Sequence, residues 1–152
     1  MNGDLLSLFI EHEMAVSELY EAYAEKFLSM KEFWATLSWE EQDHARKIRE
    51  FSEMVKKEHA RFNSIKFNAV VIRSSLEYIA KELVKAKKGD IALVNALTVA
   101  LSIEKAPIDG EIFESFTGFT AEAKKLVREL VASFDDHYQT IQTAWSEHRI
   151  FS

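Results

Sequence analysis

Five ionisable side chains in this sequence stand at helix positions where an apolar residue would be expected. They are Glu13, Glu41, His44, Glu104 and His137. Carboxylates and imidazoles bind divalent cations, and the 152 residues contain no cysteine, so oxygen and nitrogen are the strong metal donors in the chain. Donors of these two kinds favour iron or manganese, with zinc as an alternative. The five residues are therefore predicted to form a metal site.

Glu41 and His44 have the most informative spacing. In a Glu-x-x-His run, the i, i+3 separation puts both side chains on one helix face, where they can share a metal centre. The alternative for this pair is a solvated position, because neighbouring charged residues give the same helix a polar face. For Glu13 and Glu104 the alternative is a buried acid that stays protonated or pairs with a histidine. For His137 the alternative is a core residue hydrogen-bonded to a neighbour.

The composition predicts the elements that must position these residues. Four glycines and one proline leave few places for turns, so an all-α chain is expected. Long helices are predicted near 4–28, 30–60, 91–116 and 121–148, with a short helix near 75–88 and an extended crossover over 61–74. Two helical hairpins joined by such a crossover form a four-helix bundle of the ferritin-like type, here a single domain over 1–152.

Local signals mark several helix ends. Ser29–Glu32 and Ser74–Glu77 have the form of a capping box, and Asp90 and Thr120 are each placed to cap a following helix. Gly89, preceded by two lysines, predicts a helix C-terminus with a left-handed residue.

Each long helix carries a seam with alternating spacings of three and four, and charged groups interrupt all four seams. The seams are Leu6, Phe9, Glu13, Val16, Tyr20, Tyr23, Phe27; Trp34, Leu37, Glu41, His44, Ile48, Phe51, Val55; Val94, Leu97, Leu101, Glu104, Ile108, Glu111; and Val127, Leu130, Phe134, His137, Ile141, Ala144. Burying one unpaired ion costs several kcal/mol, against a net stability of about 5 to 15 kcal/mol. Because hairpin pairing brings the interruptions to similar heights, a shared divalent cation would compensate their burial.

The two halves of the sequence look like a diverged duplication. When His44 is aligned with His137, two further seam positions match in residue type, and Glu41 falls on Phe134. The second half therefore lacks the glutamate of its Glu-x-x-His run.

At these residues the sequence resembles the rubrerythrin branch of the ferritin-like superfamily. The resemblance rests on Glu13 followed seven residues later by Tyr20, then Phe33-Trp34-Ala35-Thr36-Leu37 leading into Glu40-Glu41-Gln42-Asp43-His44-Ala45, then Ala100-Leu101-Ser102-Ile103-Glu104-Lys105, and Asp136-His137-Tyr138. It implies that Glu13 and His44 serve one iron, Glu104 and His137 the other, and that Glu41 bridges them.

The resemblance also implies a function. In that family the reduced site reacts with peroxide or oxygen, so a di-iron oxidoreductase or peroxidase-like activity is expected, along with a homo-oligomer, a dimer being favoured.

The sequence departs from the family pattern at two positions. Phe134 stands where the resemblance implies the second bridging carboxylate, which predicts weaker binding of at least one metal. Pro107 lies one turn after Glu104 and is expected to disturb that helix. Without cysteine-bound iron in the chain, electrons must come from an external donor.

Charge and hydropathy restrict the remaining classes. A net charge of −6 with no cluster of lysine and arginine argues against nucleic acid as a partner. No run approaches the roughly 20 apolar residues of a membrane span, and acids stand near the N-terminus where a signal peptide carries bases. No membrane association and a cytoplasmic location are expected.

Two other functions remain open. One is a metal-free helical bundle with a vestigial site that acts as an interaction or assembly module, and the other is an iron-storage subunit. Tyr20 is expected either to donate a hydrogen bond to a ligand carboxylate or to pack in the core. His12, His59 and His148 are expected in solvent, and Glu111 has no assigned role.

Overall fold

In a computed structural model that describes residues 2–89 and 91–149, the chain is built almost wholly from helices, which confirms the all-α class. The α-helices are α1 (Asn2–Lys26), α2 (Lys31–Lys56), α3 (Ala69–Lys88), α4 (Leu93–Asp109) and α5 (Ala121–Arg149). Single 3₁₀ turns lie at Leu28–Met30 and Ile112–Ser115, and two short strands, β1 (Ala60–Phe62) and β2 (Phe116–Gly118), form an antiparallel pair.

Helix α1 packs along α2, α4 packs along α5, and contacts between α2 and α5 join the two pairs. Helix α3 lies against α1 on the outside. None of the described helices combines the length and apolar character that crossing a membrane requires.

The interior has two apolar clusters with a polar layer between them. One cluster lies toward the turn between α1 and α2 and includes Tyr20, Trp34 and Ile141. The other includes Phe9, Phe51 and residues of β1, β2 and the first half of α5. Along α1, α2 and α5, residues of one cluster precede the ionisable seam residues and residues of the other cluster follow them. The fold thus brings the charged groups to one level.

The predicted seams hold on α1, α2 and α5 but are rotated on α4. The buried residues of α4 are Ala96, Leu97, Ala100, Ile103, Glu104 and Pro107. Val94, Leu101 and Ile108 are only half-buried. The prediction that Val94, Leu101 and Ile108 belong to the buried seam was wrong, because small alanines on the adjacent face allow the helices to pack closely there. Leu97 and Glu104 are inward as predicted.

Helix α4 ends about seven residues earlier than expected. Pro107 lies in its last turn, and Glu111 adopts a left-handed backbone with φ 61°. At Gly110, an added Cβ would lie 2.6 Å from that of Phe67, so the crossover packs directly against the helix end. The chain after α4 therefore forms a 3₁₀ turn and then β2, not more helix.

The crossover is also more ordered than the expected extended segment. Its strand covers only Ala60–Phe62, and α3 begins at Ala69 because the side chain of Asn68 accepts a hydrogen bond from the Val71 amide at 3.1 Å. The predicted start at Ser74–Glu77 was wrong, since those residues lie inside α3. The short helix expected at 75–88 is in fact 20 residues long.

Of the other predicted helix ends, two are confirmed and one is wrong. Thr120 Oγ1 accepts from the Ala123 amide at 3.1 Å, and Gly89 is left-handed with φ 82°. At Ser29–Glu32 a 3₁₀ turn leads into α2 without a side-chain cap. Asp90 lies outside the described residues.

Candidate metal centre

All five sequence-predicted residues meet in the polar layer. Glu13 comes from α1, Glu41 and His44 from α2, Glu104 from α4 and His137 from α5, and each is at most 7% exposed. They form two groups, Glu13 with Glu41 and His44, and Glu41 with Glu104 and His137. In each group, one donor atom per residue lies within 4.8 Å of the others. Glu41 belongs to both groups.

The spacing of donor atoms differs between the groups. In the first, His44 Nδ1 lies 3.7 Å from Glu13 Oε2 and 3.8 Å from Glu41 Oε2. Metal bonds of about 2.1 Å hold neighbouring donor atoms roughly 3 to 3.5 Å apart, so small side-chain movements suffice to surround one ion. In the second, His137 Nε2 lies 2.6 Å from Glu41 Oε1 and 3.1 Å from Glu104 Oε1. These atoms are in direct polar contact.

Three atoms that could bind a metal make no hydrogen bond within the described part of the chain. They are both carboxyl oxygens of Glu41 and Nδ1 of His44, and all three are fully buried. Glu41 Oε1 is close to His137 Nε2, but the hydrogen bond of that nitrogen goes to Glu104. Leaving a buried polar atom unpaired costs about 1 to 3 kcal/mol. A coordinated cation would engage Glu41 Oε2 and His44 Nδ1, and it would replace the ionic contact of Glu41 Oε1 with His137. The donor set therefore fits a divalent metal.

The two imidazoles are held in their cationic forms. Burial opposes the charge on His44, yet the carboxylates of Glu13 and Glu41 overcome it and raise its pKa to about 10. Burial likewise opposes the charge on His137, whose pKa is nonetheless raised well above its ordinary value by Glu104 and Glu41.

The pKa values of the three carboxyl groups shift in two directions. Burial alone would raise the pKa values of Glu13 and Glu104, but hydrogen bonds and the charges of the histidines hold both below the ordinary value. Burial, reinforced by the neighbouring carboxylates of Glu104 and Glu13, raises the pKa of Glu41 well above its ordinary value. Without metal, the surroundings therefore favour the protonated form of Glu41 and the ionised forms of Glu13 and Glu104.

Three of the ligand candidates also contact a polar group outside the set. The Tyr20 hydroxyl donates to Glu104 Oε1 at 2.9 Å, which agrees with the first of its two expected roles. His137 Nδ1 contacts Glu40 Oε1 at 2.8 Å, and His44 Nε2 contacts Ser133 Oγ at 2.8 Å. Such partners fix the ring orientation and the tautomer of a metal-binding histidine.

Sequence analysis missed two of those partners. Glu40 resembles any charged residue on the polar face of α2, and Ser133 is an ordinary half-buried position on α5. Each contacts a candidate ligand on a different helix, so no spacing along the chain signals the contact.

Phe134 closes the position where the internal repeat would place a fourth carboxylate. Its side chain is buried, with the ring centroid 4.3 Å from that of His44 and stacked on Phe9 at 5.9 Å. The centre thus has three carboxylates and two imidazoles, with an aromatic wall on the His44 side. If each of the two groups held an ion, it would supply three protein donors.

One histidine expected in solvent is buried instead. His12 is 1% exposed and contacts Ser75 Oγ of α3 through Nε2 at 2.8 Å. The expectation was wrong because α3 is longer than predicted and covers this side of α1. His59 is exposed as expected, and His148 is half-buried, with Nδ1 2.8 Å from the Ala144 carbonyl.

Glu111, which had no assigned role, pairs with Lys66 at the surface at 2.7 Å.

No family model, curated protein or solved structure matches this chain.

Proposed function

We propose that this chain is a ferritin-like four-helix bundle that binds two iron ions, or similar divalent metals, and acts as a rubrerythrin-like oxidoreductase toward peroxide or oxygen. The observation that carries the proposal is the position of Glu41, whose fully buried carboxyl group belongs to both groups of potential metal ligands. Neither of its oxygens has a hydrogen-bond partner among the described residues. A bridging carboxylate between two ions uses both oxygens.

The arrangement of helices supports the bundle type. Helices α1 with α2 and α4 with α5 form two pairs, and the segment from residue 57 to 92 connects them. One long connection between two helical pairs is the topology of ferritin-like folds. In those folds, metal ligands project inward from all four helices, as the five residues do here.

Within the proposed site, the residues hold the metal and control its surroundings. Glu13 and His44 would hold one ion, Glu104 and His137 the other, and Glu41 both. Bound iron would supply the electrons that reduce peroxide or oxygen. The two apolar clusters on either side of the layer limit the entry of water, and Phe134 adds an apolar wall next to His44.

Turnover under this proposal needs an external electron donor, because the chain has no cysteine to bind a second iron centre. A homo-oligomer, with a dimer favoured, also belongs to the proposal.

The second candidate is a metal-free interaction or assembly module, and one observation favours it. The five groups neutralise one another when Glu13 and Glu104 are ionised and His44 and His137 are protonated. A vestigial site of this kind folds without metal. It predicts that stability does not respond to chelators or to Fe(II).

Rapid mixing with hydrogen peroxide tests the proposed redox function. Protein purified without a metal-affinity tag is loaded with Fe(II) under anaerobic conditions, and formation of ferric iron is followed by absorbance. We expect oxidation faster than that of the same Fe(II) in buffer, and loss of this acceleration in Glu41→Ala and His44→Ala. His59→Ala, at an exposed histidine, serves as the control. Oxidation at the rate of free Fe(II) would refute the redox proposal.

A further inference from the structure

Four residues of the proposed centre would each bind a single ion. Three of them have a hydrogen-bond partner outside the ligand set, on another element, and the fourth is Glu13. Glu104 is contacted by Tyr20, His137 by Glu40 and His44 by Ser133. Among the residues that the structure describes, no group from outside the ligand set lies at hydrogen-bond distance from Glu13. The nearest candidate is His12, whose Nδ1 lies 3.9 Å from Glu13 Oε1.

The surroundings of His12 hold one ring nitrogen in a hydrogen bond and leave the other available to donate one. Its Nδ1 is buried with no hydrogen-bond partner among the residues described, while Nε2 is 2.8 Å from Ser75 Oγ. The rings of Phe9 and Phe67 lie 6.4 and 6.0 Å from the imidazole, centroid to centroid. The imidazole is therefore packed between aromatic rings and anchored at one nitrogen, with the other nitrogen beside Glu13.

We propose that His12 is a positioning residue that holds Glu13 in its metal-binding orientation and links it to α3. The inference rests on the proposed metal site. When Ser75 donates its hydroxyl proton to Nε2, the neutral ring carries its own proton on Nδ1, toward Glu13 Oε1. A rotation of the Glu13 carboxylate toward a bound cation would bring Oε1 within hydrogen-bond distance of Nδ1. The opposite oxygen, Oε2, lies 3.7 Å from His44 Nδ1, on the side where the first ion would be held.

Ligation by His12 itself is the competing interpretation, and the geometry favours positioning. No group of three donors in the described chain includes His12, whereas Glu13 joins Glu41 and His44 in one. This role also gives α3 a function, since the crossover helix sets the orientation of a ligand through Ser75.

Amide substitutions separate the two nitrogens of His12. Asparagine places its amide nitrogen near the position of Nδ1, so His12→Asn keeps a donor toward Glu13 and loses the contact with Ser75. Glutamine reaches the position of Nε2, so His12→Gln keeps the Ser75 contact and loses the donor. Ser75→Ala removes the anchor alone. His59→Gln provides a matched control at an exposed position.

The experiment titrates each protein with Co²⁺ in competition with a chelating dye. Wild type is expected to bind two ions. His12→Gln should weaken one of them about 10- to 100-fold and leave the other unchanged, as is typical when a partner of a metal ligand is removed. His12→Asn should recover most of the loss, and Ser75→Ala should shift the same ion by a smaller factor. Melting temperatures without metal identify any variant that fails to fold.

The outcomes separate this inference from the function on which it rests. A wild-type protein that binds no Co²⁺ or Fe(II) overturns the metal site itself. Wild-type binding with equal affinities in His12→Gln, or with both ions weakened alike, overturns the role of His12 alone. X-ray absorption at the cobalt edge should show the same number of imidazole ligands in wild type and His12→Gln. Loss of one imidazole would show that His12 is a ligand and not a positioning residue.

Discussion

Tyr20 on α1 donates a hydrogen bond of 2.9 Å to Oε1 of Glu104 on α4, across 84 residues of sequence. Both side chains are buried, and this bond connects the first helical pair to the second at the level of the polar layer. Burial and the adjacent Glu104 carboxylate raise the pKa of Tyr20 well above its ordinary value, so the hydroxyl keeps its proton and remains a donor.

Tyr20→Phe removes this donor without removing the ring. We expect the metal-free protein to lose about 1.5 to 3 kcal/mol of unfolding free energy, because a hydrogen bond to a charged buried acceptor is lost. The affinity of the ion beside Glu104 should fall about 10-fold. Urea unfolding and a Co²⁺ titration measure the two effects. Tyr78→Phe, at a partly exposed tyrosine of α3, is the control, and equal behaviour of the two variants would contradict a role for Tyr20 at the site.

Metal binding at neutral pH should release protons. Without metal, the raised pKa values of His44, His137 and Glu41 all favour the protonated forms. Coordination requires the deprotonated forms, so up to one proton leaves each of the three, and metal affinity should increase with pH. Calorimetric titration in two buffers with different ionisation enthalpies counts the protons. Binding without proton release would show that these groups are not the ligands.

The metal-free protein should show the opposite trend in stability. The folded-state pKa of His44 is about 10, against 6.5 for an unperturbed histidine, so its stabilising contribution is complete below about pH 6.5 and is lost as pH rises toward 10. His137 and Glu41 act in the same direction, because the folded state also binds their protons more tightly. Chelator-treated protein should therefore become less stable between about pH 6.5 and 9, as monitored by urea unfolding.

The same urea unfolding with Fe(II) present decides whether stability then rises with pH instead of falling. Glu13 and Glu104 do not affect this comparison. Their pKa values are lowered, so their contribution to the unfolding free energy is present above about pH 4.5 and stays constant between about pH 6.5 and 9. Stability that is independent of pH in the metal-free protein would mean that the ion pairs of the centre do not form.

The sequence predicted which charged residues lie together better than it predicted their surroundings, for a physical reason. Each of the five residues lies on a periodic inward face of its own helix, and a charge on an apolar seam can be recognised from the spacing along the chain. His12 and Glu40 lie off the seams, and their roles depend on how α3 and α5 cross the neighbouring helices. No pattern within one helix contains that information.

The connections were hard to predict for a similar reason. Helices α1, α2 and α5 follow from long periodic stretches, but β1 and β2 are only three residues each and pair across more than fifty residues. Strand pairs this short carry almost no periodic signal. The early end of α4 depends on Gly110 and Phe67 packing together, which is a tertiary contact.

Phe134→Glu tests whether the missing carboxylate limits metal binding. In the metal-free protein, the change should reduce stability by several kcal/mol, because it places an acid between Phe9 and His44. With Fe(II), the added ligand should increase the stabilisation by metal beyond that of wild type, by about 1.4 kcal/mol for each tenfold gain in affinity. Thermal unfolding with and without Fe(II) measures both effects.

Phe134→Leu is the control for that substitution, since it loses the ring stacking but gains no donor. If the metal-dependent stabilisation of Phe134→Glu does not exceed that of Phe134→Leu, position 134 does not face the metals.

Glu41→Gln tests whether Glu41 joins two metal ions. Because the raised pKa of Glu41 favours its neutral form in the metal-free protein, glutamine preserves the shape of the side chain and matches that form in charge, and the unfolding free energy should stay within about 1 kcal/mol of wild type. The amide cannot bridge two cations. Metal content is measured by elemental mass spectrometry after anaerobic reconstitution with Fe(II), on proteins purified without a metal-affinity tag. Two ions per chain in wild type and none in a folded Glu41→Gln protein are predicted. No iron in wild type, or two ions retained in Glu41→Gln, would contradict the account.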